Sequence, residues 1–480
     1  MVTIGKLKDT IGKLSTNVIS KRTPMNRALT LKILLIGAVI LVIISLGVAT
    51  SRGAKKAAIT VHQPATKKIT RVLPTITISH EGDQVTAAGH TYINALIQGQ
   101  YDVMWSMLHP QIQAMWPDKA TFANYWKMRF HGYKLRSASF GTVSHRTYWI
   151  DPETMMQYNQ VEVMPISLQL DPDLPAQQLE QLAPQFQQPS QLFQNLPFIV
   201  QNHPGENGQS DQWLVLGGGP ADPEAPLLPP TMPMDTTVRV PILMYHYISA
   251  VPDNDPNPRL RQSLSVSPQL FGQQLDYLKS KGYHSITFNQ LMNALYYQVP
   301  LPINPIILTF DDGYIDGYQN AYPILKAHGF SGMFYIITGK VGWHGQASWP
   351  QLQEMLLNGM QMGSHTVHHV NMGTTYLRSP EQALQEVQVS QFDMQQHLGI
   401  IIQHFCYPNG DPFKGTNVFL QQKVVALLAA NGYIDATTDP GPTGVIQRAS
   451  APFVLLRLRI DGRSSLQYFT GLLQSYALPV

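Results

Sequence analysis

The run Pro305-Ile-Ile-Leu-Thr-Phe-Asp-Asp-Gly313 decides the fold, because an apolar, strand-like stretch ends in two adjacent carboxylates. Neighbouring like charges repel each other at the end of a buried strand, so one of them needs a partner such as a metal ion. Further along the chain stand His365 and His369. Two imidazoles and one carboxylate form a metal site that leaves a position open for water or a substrate oxygen, while the second carboxylate can move a proton. The sequence therefore indicates a metal-dependent hydrolase.

From residue 237 onward, apolar runs alternate with amphipathic helices. Strands are predicted at 240–245, 284–288, 306–310, 333–337, 360–364 and 402–407, and helices at 267–281, 289–297, 317–328, 349–358, 381–398 and 417–431. This rhythm predicts an α/β fold whose parallel sheet is closed, or nearly closed, into a barrel. Reactive residues in such barrels stand at the carboxyl ends of strands. Four candidates fall at such ends: Asp311, Asp312, His365 and Tyr407.

Each candidate also has a purely structural interpretation. Asp312-Gly313 is a common turn pair, and a histidine-rich run such as 365–369 is often a solvated turn. His246, which ends the apolar run 241–246, is equally compatible with a hydrogen-bonded core histidine. Because these groups end independent predicted strands, a joint site explains them better than separate turns do.

Composition narrows the possible partners. Charged residues are 13% of the 480 and the net charge is +3, which is too small to indicate nucleic-acid binding. Cys406 is the only cysteine, so an intrachain disulfide and a thiolate zinc site are both excluded. Any metal must therefore be held by histidine and carboxylate. No segment indicates a protein partner.

The amino-terminal region is predicted to attach the protein to a membrane. Residues 33–50 form an uncharged, mainly apolar run that is just long enough to span a bilayer. They follow a basic segment, 1–32, that we expect to be cytoplasmic. A single anchor of this kind leaves the rest of the chain outside the membrane. The alternative is a cleaved signal peptide with a weak cleavage site at 48–51, which would release a secreted protein.

Three further segments are predicted between the anchor and the barrel. Residues 51–82 are a polar tether. Residues 83–216 show helical spacing first and strand patterns afterwards, and resemble the cone-shaped α+β domains of the nuclear transport factor two-like fold. Within them, the Gln- and Pro-rich stretch 175–197 is expected to be a long insertion or mobile loop. The Pro-rich stretch 217–236 is expected to be an extended spacer before the last domain, 237–480.

Motifs of the last domain resemble a known family. Thr309-Phe-Asp-Asp-Gly313 and Ser364-His-Thr-Val-His-His369 are similar to the first two motifs of the polysaccharide deacetylases, the NodB-homology carbohydrate esterases. Phe405-Cys-Tyr-Pro-Asn-Gly410 resembles the third motif. The resemblance covers residues 237–480 and implies a deformed (β/α) barrel of the NodB-homology type.

The resemblance also implies roles for the residues of the first two motifs. Asp311 is the general base, while Asp312, His365 and His369 hold a divalent metal and His368 is a bystander. A set of two histidines and one carboxylate suits zinc, and cobalt, nickel and iron are compatible with it.

The third motif is implied to form one side of the substrate groove and to supply a backbone donor to the oxyanion. Its residues here are Tyr407, Pro408, Asn409 and Gly410. Asn409 takes the place of the tyrosine that is usual in the family.

The chain departs from the commonest family pattern in two places. Cys406 stands where many members carry an arginine that tethers the base, so Arg457 or Arg459 is expected to take over this task. The late motif that carries a catalytic histidine is missing. The opening Met244-Tyr-His246 instead resembles the permuted arrangement of the poly-N-acetylglucosamine deacetylases, which implies that His246 is the general acid.

The resemblance implies the removal of N-acetyl groups from N-acetylglucosamine residues of a cell-envelope or extracellular polysaccharide. The partner is then an N-acetylated glycan, with no nucleic acid involved. Two alternatives stay open. One is a glycan-binding pseudoenzyme, which the missing arginine favours, and the other is a metal-dependent esterase that acts on O-acetyl groups.

Overall fold

The computed structural model describes residues 73–182, 184–204, 211–218, 225–231, 235–438 and 443–476. The basic segment 1–32, the predicted anchor 33–50 and most of the tether 51–82 lie outside these residues. The anchor and the membrane localisation therefore stay predictions. Within the described part of the chain, no helix is both long enough and apolar enough to cross a bilayer.

The first domain places helices before a curved antiparallel sheet, as the sequence pattern predicts. Its helices are α1 (Gly82–Ile97), α2 (Tyr101–Ser106), α3 (Pro110–Gln113), α4 (Lys119–Arg129), α5 (Ala176–Leu179) and α6 (Pro184–Gln187). Its strands are β1 (Ile76–Ile78), β2 (Tyr133–Phe140), β3 (Ser144–Ile150), β4 (Gln157–Pro172), β5 (Leu196–His203) and β6 (Gln212–Gly218). The long β4 pairs with β2, β3 and β5, and one face of the sheet packs against α1 and α4 in a shared apolar core.

The structure corrects two expectations for this domain. Strand β1 lies inside the predicted tether and pairs with β3, with Ile76 opposite Arg146, so the domain begins before residue 83. The predicted mobile loop 175–197 instead contains two helical turns and buries Phe186 and Phe193. The Gln and Pro content of this loop concealed the anchoring effect of its two aromatic side chains, each of which removes a large apolar area from water.

The predicted spacer 217–236 does not hold the domains apart. Ala225, Leu227 and Leu228 are buried in the same apolar core as α4 and the amino-terminal ends of the barrel strands. The Gln403 side chain accepts a hydrogen bond from the Leu227 N–H at 2.7 Å and donates one to the Leu227 carbonyl at 3.0 Å. Proline density favours an extended backbone, but it does not decide whether that backbone is exposed or packed.

The second domain is the predicted alternation of strands and helices. Its strands are β7 (Thr237–Arg239), β8 (Ile242–Tyr245), β9 (His284–Ser285), β10 (Pro305–Phe310), β11 (Met333–Ile336), β12 (Gln361–Ser364), β13 (His404–Cys406), β14 (Asp435–Thr437), β15 (Ile446–Arg448) and β16 (Leu458–Arg459). Its helices are α7 (Pro258–Leu264), α8 (Pro268–Ser280), α9 (Phe288–Tyr297), α10 (Tyr322–His328), α11 (Trp349–Leu357), α12 (Met372–Arg378), α13 (Pro380–Leu398), α14 (Val418–Ala430) and α15 (Leu466–Ser475).

The parallel strands run in the order β14-β13-β12-β11-β10-β8-β16, with β9 beside β10. A parallel bridge between Thr437, at the end of β14, and Leu455, just before β16, connects the two ends of this curled sheet. The predicted α/β barrel is thereby confirmed. Because all its strands are parallel, their carboxyl ends meet at one rim, which is where the candidate residues of the site lie.

Candidate metal centre and active site

Strand β10 ends in Asp311 and Asp312, whose side chains contact different partners. The Asp311 N–H still donates to the Tyr245 carbonyl of β8 at 3.0 Å, so this residue continues the sheet. Asp312 has a φ of 78°, in the left-handed region that residues other than glycine rarely adopt. The chain turns there, so Asp311 contacts Arg457 while Asp312 contacts the histidines.

Backbone strain recurs along the same rim. Positive φ angles between 55° and 78° are found at Asp312, Thr366, His369 and Asn409. Such conformations cost free energy and persist only where the surrounding structure enforces them, which is typical of functional sites.

Arg457 holds Asp311 through two buried hydrogen bonds. The Nη1 and Nη2 atoms of Arg457 donate to Oδ1 and Oδ2 of Asp311, both at 2.8 Å, and Nη2 also lies 3.2 Å from Cys406 Sγ. A bidentate pair fixes the carboxylate in both position and orientation. Arg459, the other candidate tether, does not reach Asp311 and lies 3.4 Å from the Ser263 hydroxyl. The small thiol at position 406 leaves room for a guanidinium that comes from the chain before β16.

The two motif histidines converge on one oxygen of Asp312. The Nδ1 atom of His365 is 2.8 Å from the Cys406 carbonyl oxygen, which orients the ring so that Nε2 lies 3.4 Å from Asp312 Oδ1. The Nε2 atom of His369 lies 3.2 Å from the same oxygen. A metal-ligating histidine usually donates its other ring N–H to a carbonyl or carboxylate in this way.

The donor set of Asp312, His365 and His369 fits a divalent metal. Asp312 Oδ1 is buried and has no hydrogen-bond donor, although two imidazole nitrogens face it, so the three groups leave a common position for a cation. Asp311, His365 and Cys406 also lie close enough to share an ion. That second group is the poorer fit, because both oxygens of Asp311 are engaged by Arg457 and burial raises the pKa of the Cys406 thiol.

The pKa directions of Asp312 and His365 agree with this assignment. Burial alone would raise the pKa of Asp312, but the neighbouring His365 and His369 side chains hold it well below its usual range. Burial alone would lower the pKa of His365, but Cys406, Asp312 and Asp311 hold it well above its usual range. The centre therefore favours an ionised Asp312 carboxylate beside a positive charge, and a bound metal cation would supply that charge.

Glu386 of α13 positions the histidine loop, and sequence reasoning missed it. Its Oε2 accepts from the N–H groups of Val367 and His368 at 3.0 and 2.9 Å, and its Oε1 lies 2.7 Å from His368 Nδ1. His368 is thereby turned away from the metal ligands, as expected of a bystander. No sequence signal identifies Glu386, because an acidic residue in a polar helix usually faces solvent.

His246 lies at the same rim, directly after β8. Because β8 pairs with β10 and Tyr245 lies opposite Phe310, His246 and Asp311 follow adjacent strand ends. Its charge contributes to the lowered pKa of Asp312, which places it in the electrostatic environment of the metal ligands. The structure therefore brings the proposed acid to the same site as the proposed base.

Of the four residues of the third motif, fewer are available to a substrate than the sequence indicates. The Tyr407 side chain is fully buried against Phe405 and Phe413, so it is a core residue and not a substrate contact. The Tyr407 and Gly410 N–H groups donate to backbone carbonyls at 3.1 and 2.9 Å. Since proline has no N–H, Asn409 supplies the candidate oxyanion donor of this motif, with its exposed side chain bonded to Asn371.

Two tyrosines beside the candidate residues form an aromatic wall that the sequence analysis did not include. Tyr247 and Tyr314 stack with ring centres 3.7 Å apart, and the Arg261 guanidinium carbon lies 3.1 Å above the Tyr247 ring. Burial and the neighbouring Asp312 raise the pKa of Tyr314 far above its usual range, so it stays protonated. A signal was present in the sequence, because each tyrosine stands one or two residues after a candidate site residue.

Known proteins are similar to the part of the chain that carries this site. A family model described as polysaccharide deacetylase matches residues 298–432, which include both aspartates and both histidines of the centre. The Bacillus subtilis (strain 168) protein YxkH, named provisionally as a polysaccharide deacetylase, is 28% identical over 240 residues, which are 49% of this chain and 77% of that one.

Two further relatives are matched over different spans. The poly-β-1,6-N-acetyl-D-glucosamine N-deacetylase of Staphylococcus aureus (strain MSSA476) is 33% identical over 120 residues, which are 23% of this chain and 40% of that relative. Among solved structures, the Streptococcus pyogenes deacetylase PplD in complex with acetate is 30% identical. That match covers 51% of this chain and 100% of the other, with a TM-score of 0.43.

Proposed function

Because the chain belongs to the polysaccharide deacetylase family, we propose that it is a metal-dependent N-deacetylase of an N-acetylglucosamine polymer in the cell envelope or outside the cell. The chain is an enzyme, and its reaction is hydrolytic N-deacetylation. The observation that carries the proposal is that the adjacent Asp311 and Asp312 have different side-chain partners. Asp312 faces two histidine nitrogens, whereas both oxygens of Asp311 accept hydrogen bonds from Arg457.

A divalent metal ion held by Asp312, His365 and His369 would supply Lewis acidity, lowering the pKa of water toward ~7 and polarising a carbonyl. The chain's own groups then move the protons. Asp311 accepts the proton of the attacking water, and the Arg457 clamp keeps this carboxylate in place while it does so.

The remaining groups serve the leaving amine and the oxyanion. His246 protonates the departing nitrogen from the neighbouring strand end. The Asn409 N–H donates to the developing oxyanion, a contribution on the order of 10²-fold in rate for a single well-placed donor. The ring of Tyr314, stacked on Tyr247, offers an apolar face to a sugar ring beside the site.

Zinc is the metal that we propose, because a set of two histidines and one carboxylate suits it, with cobalt, nickel and iron as compatible substitutes. The polymer that we propose is poly-N-acetylglucosamine. Support comes from the permuted position of His246 and from the Staphylococcus aureus relative, whose name gives poly-β-1,6-N-acetyl-D-glucosamine as its substrate.

We further propose that residues 33–50 anchor the protein in the cell membrane with the barrel on the outer side. The support is the uncharged run in the sequence, which reaches the length that a spanning helix needs. Protease digestion of intact cells and of lysed cells tests this placement, since an outward barrel is cleaved in both preparations.

A substrate panel tests the activity. The zinc-loaded full chain is incubated with poly-β-1,6-N-acetylglucosamine, N-acetylchitopentaose and acetylated xylan, and released acetate is measured. We expect acetate from the N-acetylated glucosamine polymers and none from xylan. Acetate from xylan alone would instead identify an O-acetyl esterase, and glycan binding without any acetate release would identify a pseudoenzyme.

A further inference from the structure

A cavity of about 960 Å³ lies between the two domains. Its barrel side is formed by the segments 299–303 and 328–330, which lead into β10 and β11. These segments lie at the amino-terminal ends of their strands, whereas Asp312 and His365 follow carboxyl ends of strands in the same sheet, so the cavity lies at the opposite rim of the barrel. Its volume is within the range of sites for small organic molecules, and none of the catalytic residues lines it.

Arg129 of α4 lines this cavity with a buried guanidinium. Its side chain is 3% exposed, and no described carboxylate lies within ion-pair distance. Nη1 donates to the Tyr125 hydroxyl and Nη2 donates to the Pro226 carbonyl at 3.1 Å, but Nε has no hydrogen-bond partner. The rings of Tyr125 and Trp126 lie 5.6 and 5.7 Å from its central carbon and offset only part of the charge. A bound anion would supply the missing counter-charge.

Other buried polar atoms point to the same kind of ligand. The Tyr92 hydroxyl and the Trp126 Nε1–H, which are 0% and 2% exposed, line the cavity without hydrogen-bond partners. Guanidinium and indole N–H groups can only donate, so the group that meets them must accept. The Asn293 Oδ1 atom is the one unpartnered acceptor among these lining groups.

Asp151, an acidic residue of the lining, does not form an ion pair with Arg129. Asp151 accepts hydrogen bonds from the Glu153 N–H at 3.0 Å and from the Thr154 hydroxyl at 2.7 Å, within its own turn. Burial raises the pKa of Asp151 to about 6, which shows how poorly this region accommodates an unpaired negative charge of its own.

Apolar walls extend from Arg129 toward the surface, although polar side chains such as Lys279, His284 and Gln290 also line the cavity. Ile112, Phe122 and Phe330 form part of the apolar walls, and Met115 and Ile303 stand at the surface with 39% and 79% exposure. A hydrocarbon body gains from burial along every such apolar wall.

We propose that this cavity binds an amphipathic organic acid, with its carboxylate at Arg129 and its apolar chain directed toward Met115 and Ile303. The site is independent of the deacetylase reaction, because its residues belong to the opposite rim. It gives the first domain a ligand-binding role of its own.

Calorimetric titration of the full chain tests the proposal, with dodecanoate as the acid, dodecan-1-ol as the same chain without the charge, and N-acetylchitotriose as the sugar. We expect dodecanoate to bind at least tenfold more tightly than dodecan-1-ol. Arg129→Met should remove this margin and leave the binding of the alcohol unchanged. Arg136→Met is the matched control, because Arg136 pairs with Asp171 on the surface of the same domain, and it should keep the margin.

Several outcomes would overturn the proposal. They are equal affinity for acid and alcohol, unchanged dodecanoate affinity in Arg129→Met, and displacement of dodecanoate by N-acetylchitotriose. If Arg129→Met does not fold, Leu301→Trp fills the cavity from the barrel side and should abolish binding of both the acid and the alcohol, so unchanged binding there is equally contradictory. Acetate release is measured separately, so a failure of the proposed enzymatic function would leave these titrations interpretable.

Discussion

Two arginines are buried among the residues that the structure describes, and their surroundings differ. Arg457, at the carboxyl rim of the barrel, donates to both oxygens of Asp311, to the Thr309 hydroxyl and to the Thr438 carbonyl. Arg129, at the opposite rim, has two neutral acceptors, an unpartnered Nε and no described carboxylate. The first arrangement is complete before a substrate arrives, as a catalytic centre requires, whereas the second lacks its counter-ion.

The largest effect is expected at the proposed metal ligands, Asp312, His365 and His369. Asp312→Ala or His365→Ala removes one of only three protein ligands, so bound zinc and acetate release should both fall to background. Metal content by mass spectrometry and an acetate assay measure the two quantities. The neighbouring His368→Ala is the control, because His368 contacts Glu386 and not the ligands, and it should keep the metal. Zinc retained by Asp312→Ala would refute the assigned ligand set.

Replacing Arg457 should lower the free energy of unfolding more than replacing Arg129. Arg457→Met leaves the buried Asp311 carboxylate unpaired and should lower the free energy of unfolding by about 3–5 kcal/mol, whereas Arg129→Met strands no carboxylate and should cost clearly less. Urea denaturation of both variants checks this, with Arg136→Met, a surface pair worth at most about 1 kcal/mol, as the baseline. Equal losses at 457 and 129 would remove the distinction between the two regions.

The cavity region should also respond to pH through Asp151. Its folded pKa of about 6 lies above the ordinary 3.8, so the protonated form is favoured by folding. Asp151 therefore contributes its full share to the free energy of unfolding below pH 3.8, and this contribution is lost as the pH rises through about 6. Relative to Asp151→Asn, the wild type should therefore lose about 3 kcal/mol between pH 3.5 and pH 7. Urea denaturation of both proteins at the two pH values measures this difference. The same change in the free energy of unfolding in both proteins would contradict the burial of Asp151.

The smallest effect is expected at Cys406. Since Arg457 already holds Asp311, Cys406→Ala removes a long contact of 3.7 Å to the Asp311 carboxylate, a 3.2 Å contact to Arg457 and the influence of the thiol on the pKa of His365. Turnover should stay within a few-fold of the wild type, and the pH profile of acetate release should keep its shape. A loss as large as that of Arg457→Met would show that the thiol itself holds the base.

The barrel and the convergence of Asp312, His365 and His369 could be predicted because their signals are local. A buried strand that ends in two aspartates and a turn with two histidines each carry their chemistry within a few residues. The choice between Arg457 and Arg459 could not be predicted, since residues two apart in an extended segment share a face. Only the three-dimensional structure shows that Arg457 alone reaches Asp311.

Contacts between segments that lie far apart in the chain could not be predicted from the sequence. Glu386 contacts the histidine loop from an amphipathic helix in which an acidic residue is expected to face solvent. Tyr407 looked like a substrate contact because of its motif, yet its ring is buried. Arg129 sits in a helix next to aromatic residues, and its unpaired charge becomes evident only once the linker and the barrel enclose it.

The most direct test of the central claim compares metal dependence in the wild type and in Asp311→Asn. Each protein is stripped with a chelator, reloaded with one equivalent of zinc and assayed for acetate release from poly-β-1,6-N-acetylglucosamine. The wild type should be inactive when stripped and active when reloaded. Asp311→Asn should bind zinc equally well and stay about 10²–10⁴-fold slower. Full activity in the stripped wild type, or in reloaded Asp311→Asn, would contradict the division of labour between Asp312 and Asp311.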